Sequence, residues 1–176
     1  TASHHPYHRN GLKFFTPQGG LDAPDITEIL QLAQNGEHPQ QEAPGTREDC
    51  GYMKDYAKRL RETIQKGVGA ADYEHPLKGF HIVVDAGNGA GGFYANDVLA
   101  PLGADISGSQ FLEPDGMFPN HIPNPENETA MSFICKAVKE SHADLGVIFD
   151  TDVDRGAAVD NRGEEINRNR LVALAS

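Results

Sequence analysis

Three aspartates stand at alternate positions in Asp150-Thr151-Asp152-Val153-Asp154-Arg155, directly after the apolar run Leu145-Gly146-Val147-Ile148-Phe149. Such a run reads as a buried strand, and ligand sites in α/β proteins gather at the carboxyl ends of strands. Three carboxylates on one tight loop can converge on a cation, and an all-oxygen set favours Mg²⁺, Mn²⁺ or Ca²⁺. Left uncompensated, the same carboxylates would repel one another. A metal loop is therefore the preferred reading, with a solvated acidic turn as its alternative. A second candidate is Thr1-Ala2-Ser3-His4-His5-Pro6. By residue type alone it is an ordinary polar loop. His4, His5 and His8 could ligate zinc, but no Cys or carboxylate lies near them in sequence to complete the site.

A third constellation is Gly87-Asn88-Gly89-Ala90-Gly91-Gly92. It matches G-x-G-x-x-G formally, after a strand and before a helix, with Asp105 about 20 residues on, as a dinucleotide fingerprint requires. The strand, however, ends in Asp85 just before the turn. We read these glycines as permitting a tight strand-to-helix turn, and keep the dinucleotide site as the rival.

These loops need elements to hold them. The segment Phe80–Asp85 is a β-branched run and predicts a buried strand; Ala104–Ile106 and Ala157–Val159 predict two more beside Leu145–Phe149. Between them, Tyr94, Val98 and Leu99 mark one helix, and Met131, Ile134, Cys135 and Val138 another. Residues 112–127 are a loop rich in Pro and Asn. Upstream, Tyr52, Tyr56, Leu60 and Ile64 recur every four residues on a helix over about Asp49–Lys66, closed by Gly67 and Gly69. Pro24 and Asp25 open a short helix carrying Ile26, Ile29, Leu30 and Ala33 on one face. Residues 35–46 form a connector. Strand, helix, strand, helix, strand over about 68–162 predicts an α/β fold: a mixed, mostly parallel sheet with helices on both faces.

The chain has 15 Lys plus Arg against 26 Asp plus Glu, a net charge of −11. That balance opposes nucleic acid and anionic membrane as partners, since both are bound through basic patches. No apolar run reaches transmembrane length. Cys50 and Cys135 fit no metal spacing and read as small apolar residues on helices. This suits a reducing compartment, the cytoplasm or an organellar stroma. Thr1 is not Met, and Ser176 falls inside an amphipathic pattern. We read the chain as an internal stretch of a longer one.

Five segments together resemble the α-D-phosphohexomutases. Thr1-Ala2-Ser3-His4-His5-Pro6 resembles that family's active-site loop Thr-Ala-Ser-His-Asn-Pro, and Asn10-Gly11-Leu12-Lys13-Phe14 its continuation. Asp85 to Gly92 resembles the glycine turn of its second domain. Pro114-Asp115-Gly116-Met117-Phe118-Pro119-Asn120-His121-Ile122-Pro123-Asn124-Pro125 is similar to the loop that follows. Asp150 to Arg155 resembles its metal loop Asp-Gly-Asp-x-Asp-Arg. The five occur in the family's order, with compatible spacing, across nearly the whole chain.

The resemblance implies that Ser3 is a phosphoserine and that Asp150, Asp152 and Asp154 hold Mg²⁺ together with a phosphoserine oxygen of Ser3. It implies that Lys13 handles protons at the reacting hydroxyl, that Arg155 flanks the metal loop, and that His4 is the histidine after the serine. The implied reaction moves phosphate between C1 and C6 of a hexose phosphate through a hexose 1,6-bisphosphate. Of the family's four domains, residues 1–46 would end the first, 47–162 form the second and 163–176 begin the third. The loops that choose the sugar and hold its phosphate lie in the third and fourth, so this stretch alone is expected to be inactive.

Two positions depart from the pattern: His5 stands for Asn, and Thr151 for Gly. If that glycine has positive φ, a β-branched residue there is strained and the loop altered. Phe149-Asp150-Thr151-Asp152 also resembles the Asp-x-Asp motif of haloacid-dehalogenase-type phosphatases, in which Asp150 would be a nucleophile. A non-catalytic, metal-binding use of the mutase fold is the third reading.

Overall fold

The computed structural model describes residues 8–9, 11–36 and 45–175. The chain divides into two compact units, Thr1–Cys50 and Gly51–Ser176.

The first unit pairs two short antiparallel strands, β1 (Phe15–Thr16) and β2 (Gly19–Gly20), about a turn closed by the Thr16 hydroxyl. A helix follows, α1 (Ala23–Gln34). Asp22 and Asp25 build a reciprocal capping box at its start, each carboxylate accepting from the other's backbone N–H. Ile26, Ile29 and Leu30 line a shallow apolar hollow with Gly11, Leu12 and Phe14. No side chain of α1 is fully buried.

The second unit begins with α2 (Tyr52–Val68), which Gly69 ends in the left-handed conformation, φ 58°. The expected four-residue stripe is only partly the buried one. Tyr52 stays exposed, and the seam runs through Ala57, Leu60 and Ile64 onto Val98 and Leu102. Tyr56 bridges outward, its ring 5.9 Å from that of Phe93.

The sheet has the order β3 (Ile82–Asp85), β4 (Leu145–Phe149), β5 (Gly156–Asp160). β3 and β4 are parallel, with Ile82 opposite Leu145; β4 and β5 are antiparallel, with Phe149 opposite Gly156. Two further parallel bridges, His81 with Asp105 and Asp85 with Gln110, flank β3 on its other edge. The expected strand at Ala104–Ile106 is thus reduced to one bridge. Gly103 and Gly108 turn the backbone at φ 91° and 83°, and the Asp105 carboxylate accepts from the Ser107 N–H, which curls the segment away.

Helices cover both faces. α3 (Glu128–Ser141), capped by the Asn127 side chain, sets Ala130, Ile134 and Val138 against Val83, Ile148, Ala157 and Val159. Full burial of such side chains contributes about 1.5–3 kcal/mol each. Gly146 on β4 leaves room for Val138 and Ile134. The opposite face carries a helical segment of short 3₁₀ and π turns, Ala90–Gly92, Tyr94–Leu99 and Ala100–Leu102. Gly103 ends it in the left-handed conformation, and Tyr94 packs on Phe149 with ring centroids 4.9 Å apart. Last comes α4 (Arg168–Ala175). Among the described residues, no helix is long and apolar enough to cross a membrane.

Candidate metal centre

The aspartate loop is the connection of the β4–β5 hairpin, at the carboxyl end of β4. One ligand oxygen from each of Asp150, Asp152 and Asp154 comes within 4.8 Å of the other two. Asp150 is 1% exposed, whereas Asp152 and Asp154 open to solvent. Three hard oxygens on one side of a loop, two of them open, fit a divalent cation that keeps part of its water shell.

Arg155 completes the loop. Its backbone N–H donates to Asp150 Oδ1 at 3.1 Å and its Nε to Oδ2 at 3.0 Å, while Asp150 N–H donates back to the Arg155 carbonyl. The same Nε lies 3.6 Å from Asp154. One guanidinium among three carboxylates leaves two negative charges, which matches a divalent ion. Burial pushes the Asp150 carboxyl up, but the Arg155 N–H, the Asp154 contact and the Arg155 guanidinium together hold it below the usual range. Asp154 goes the other way, raised by its hydrogen bond with Asp150 and by that carboxylate's charge. Both Asp150 oxygens are engaged by Arg155, an arrangement suited to a fixed ligand rather than an attacking nucleophile.

Thr151 does not have positive φ; that conformation falls on Val153, at φ 66°. The expected strain is therefore displaced by two residues, onto another β-branched side chain. Such a conformation costs on the order of 1–3 kcal/mol. Thr151 instead serves as an anchor, its carbonyl accepting from Ala90 N–H at 2.8 Å.

That bond ties the aspartate loop to the glycine turn. Each close approach that a glycine permits there is filled by the protein itself. A Cβ at Gly89 would lie 2.7 Å from the Thr151 carbonyl oxygen, one at Gly91 would meet the Phe149 ring at 2.8 Å, and one at Gly92 would land on the Leu112 carbonyl. The turn is thus packed as a structural support, without the open cradle of a dinucleotide site.

Beneath the turn sits a buried polar group absent from the sequence reading. Asp85, at the end of β3, accepts from Gly87 N–H at 2.9 Å, Gln110 Nε2 at 2.8 Å and His121 Nε2 at 3.0 Å. His121 Nδ1 lies 3.0 Å from the Ile122 carbonyl oxygen. Both ring nitrogens face acceptors, so the geometry favours the protonated ring, which can donate at each end. Burial alone would lower its pKa; the Asp85 hydrogen bond, the Ile122 carbonyl and the Asp85 charge outweigh that and raise it. A raised folded value stabilises fully below the unfolded pKa of about 6.5, and the contribution is lost as pH climbs through the folded value. The melting temperature of the wild type should therefore fall, relative to that of His121→Gln, from about pH 6.5 upward. Parallel melting curves across that window would contradict the assignment. The only sequence signals for this group were Asp85 ending its strand and His121 lying in a Pro-rich loop.

A family model described as phosphoglucomutase/phosphomannomutase, alpha/beta/alpha domain II, matches residues 54–163. The chain belongs to this family. A phosphomannomutase/phosphoglucomutase of Pseudomonas syringae pv. tomato is 32% identical, over 99% of this chain and 35% of its own length. A phosphoglucosamine mutase of Shouchella clausii is 32% identical, over 99% of this chain and 37% of its own length. A phosphomannomutase of Escherichia coli is 31% identical, over 99% and 38%. The chain thus spans little more than a third of these relatives. The crystal structure of a phosphoglucomutase/phosphomannomutase family protein from Burkholderia thailandensis superposes with a TM-score of 0.64 at 23% identity, covering 93% of this chain and 39% of that one. The mixed sheet covered on both faces agrees with the phosphohexomutase domain.

Of the residues that the resemblance assigned to the site, Asp150, Asp152, Asp154 and Arg155 come together on one hairpin loop. Lys13 lies exposed in the first unit. Ser3 and His4 lie outside the described residues, as do His5 and Asn10.

Proposed function

We propose that the protein is a phosphohexomutase, moving phosphate between C1 and C6 of a hexose phosphate through a phosphoserine at Ser3 and a hexose 1,6-bisphosphate. The observation that carries this reading is the triplet of carboxylates converging at the end of β4 in a chain of this family. Relatives named phosphomannomutase, phosphoglucomutase and phosphoglucosamine mutase support the reaction class. In this reading residues 1–46 end a first domain, 47–162 form the second and 163–176 begin the third.

Asp150, Asp152 and Asp154 would hold Mg²⁺, with Ser3 supplying a phosphate oxygen. Bound there, the ion would neutralise charge on the phosphoryl group in transit, which is most of what such a transfer asks of a protein. Arg155 keeps Asp150 ionised and oriented as a ligand. Ser3 carries the phosphate with His4 beside it, and Lys13 moves the proton at the reacting hydroxyl. An acidic chain is compatible with phosphorylated sugars, because local charge at the site governs them.

Incubation with a hexose 1,6-bisphosphate followed by mass spectrometry tests the reading. In the full-length protein that this reading implies, phosphate should appear on the peptide containing Ser3, and Ser3→Ala should lose both the label and mutase turnover. An unlabelled Ser3 with phosphate trapped on Asp150 would sink this reading.

A further inference from the structure

We infer that the buried His121–Asp85 ion pair is a positioning device for the aspartate loop, acting through the glycine turn Gly87–Ala90. The inference rests on the metal-loop reading above and adds to it two residues outside the carboxylate triplet.

The mechanical path is short. On one side of the turn, Gly87 is pinned by its N–H to Asp85 and by close approach: a Cβ there would lie 2.9 Å from Pro123 Cβ and 3.0 Å from His121 Cε1. On the other side, Gly89 rests against the Thr151 backbone, and Ala90 N–H holds the Thr151 carbonyl. Thr151 stands between the ligands Asp150 and Asp152. Asn88, at φ 60°, fixes the middle of the turn through the Glu113 carbonyl and the Asn120 side chain. The turn is a four-residue spacer clamped between the ion pair and the metal loop.

Among the described residues, Asp85 is the one charge that bears on His121. Around the pair, among the described residues, are the Phe111 and Phe133 rings, Gln110, Gly87 and the Ile122 carbonyl. With both side chains fully buried, Asp85 and His121 have no solvent to replace a lost partner. Removing one partner of such a pair leaves the other uncompensated, so the site must shift or recruit new contacts. Gly87 is the first backbone to feel that shift, because it shares Asp85 Oδ1 with His121.

The test uses the 176-residue chain with His121→Gln, and Asp85→Asn as second variant should the first not fold. Amide exchange without metal is read at Ala90 and at Ala143, whose N–H bonds to the Val138 carbonyl beyond α3. Mn²⁺ affinity is then measured by calorimetry. Expected are Ala90 exchange faster by about tenfold, Ala143 unchanged, and Mn²⁺ bound about 10–100-fold more weakly, the usual cost of losing an outer-shell support. Unchanged exchange at Ala90, or equal acceleration at both amides, would overturn the inference, the second being plain loss of stability. Faster Ala90 exchange with unaltered Mn²⁺ affinity would overturn it as well. A wild-type chain that binds no Mn²⁺ would overturn the metal reading and this inference's link to it. The exchange at Ala90 would still decide whether the pair holds the turn.

Discussion

Asp152→Asn should weaken divalent-cation binding by more than about 100-fold, beyond what the loss of an outer-shell support costs. Its carboxylate is exposed and sits within 4.8 Å of the other two, so its removal deletes a ligand and little else. Thermal stability should barely move, since exposed side chains away from special features contribute within about 0.5 kcal/mol. Asp150→Asn makes the instructive contrast. That carboxylate is buried and accepts two Arg155 hydrogen bonds. An amide NH₂ in place of one oxygen would face a guanidinium donor, so folding should suffer by about 1–3 kcal/mol besides the lost affinity. Mn²⁺ titration and thermal unfolding of both variants separate the two effects. Wild-type affinity in Asp152→Asn would refute the assignment of the loop as a metal site.

Gly92→Ala should be the most damaging single methyl in the domain. The added Cβ would land on the Leu112 carbonyl, a backbone group that cannot swing aside like a side chain. The turn and the start of the 112–127 loop cannot both keep their places, since Asn88 N–H also bonds the Phe111 carbonyl next to Leu112. Overpacking of a well-packed interior costs about 1–3 kcal/mol and exceeds that where backbone must move. A loss above about 3 kcal/mol in urea unfolding is expected. Gly116→Ala, with open space around its Cβ position, is the control and should be near neutral. Equal stability of the two variants would show that the turn is not packed as described.

The aspartate loop was legible because its three carboxylates fall within five residues and the strand before it is uniformly apolar. The helices were legible from their spacing, with boundaries off by two or three residues at α2, where Tyr52 begins the helix in place of Asp49. The buried polar group under the turn was missed because its partners are drawn from distant segments. Asp85, Gln110 and His121 arrive from a strand end and two places in a long loop, and no periodicity links them. Ala104–Ile106 failed as a strand because local turn chemistry at Asp105 and two glycines overrode a short apolar run. Strain was sought at Thr151 because of the Gly it replaces, and falls on Val153 because the hairpin needs its positive φ two residues later. The serine loop Thr1–Pro6 carries no local pattern that sets it apart from an ordinary polar loop, so only family resemblance singles it out.

The aspartate loop's position as a hairpin connection bears on the order of assembly. β4 and β5 are neighbours in sequence, and their loop closes with little entropy loss; hairpins of this kind form in microseconds. The β3–β4 pairing must instead wait for Ile82 and Leu145 to meet across the whole intervening segment of helices and loops. The three carboxylates are therefore gathered early, on a nascent hairpin whose charge repulsion works against its own closure. Arg155, at the first residue before β5, relieves that repulsion from within the hairpin, before the distant turn can brace it.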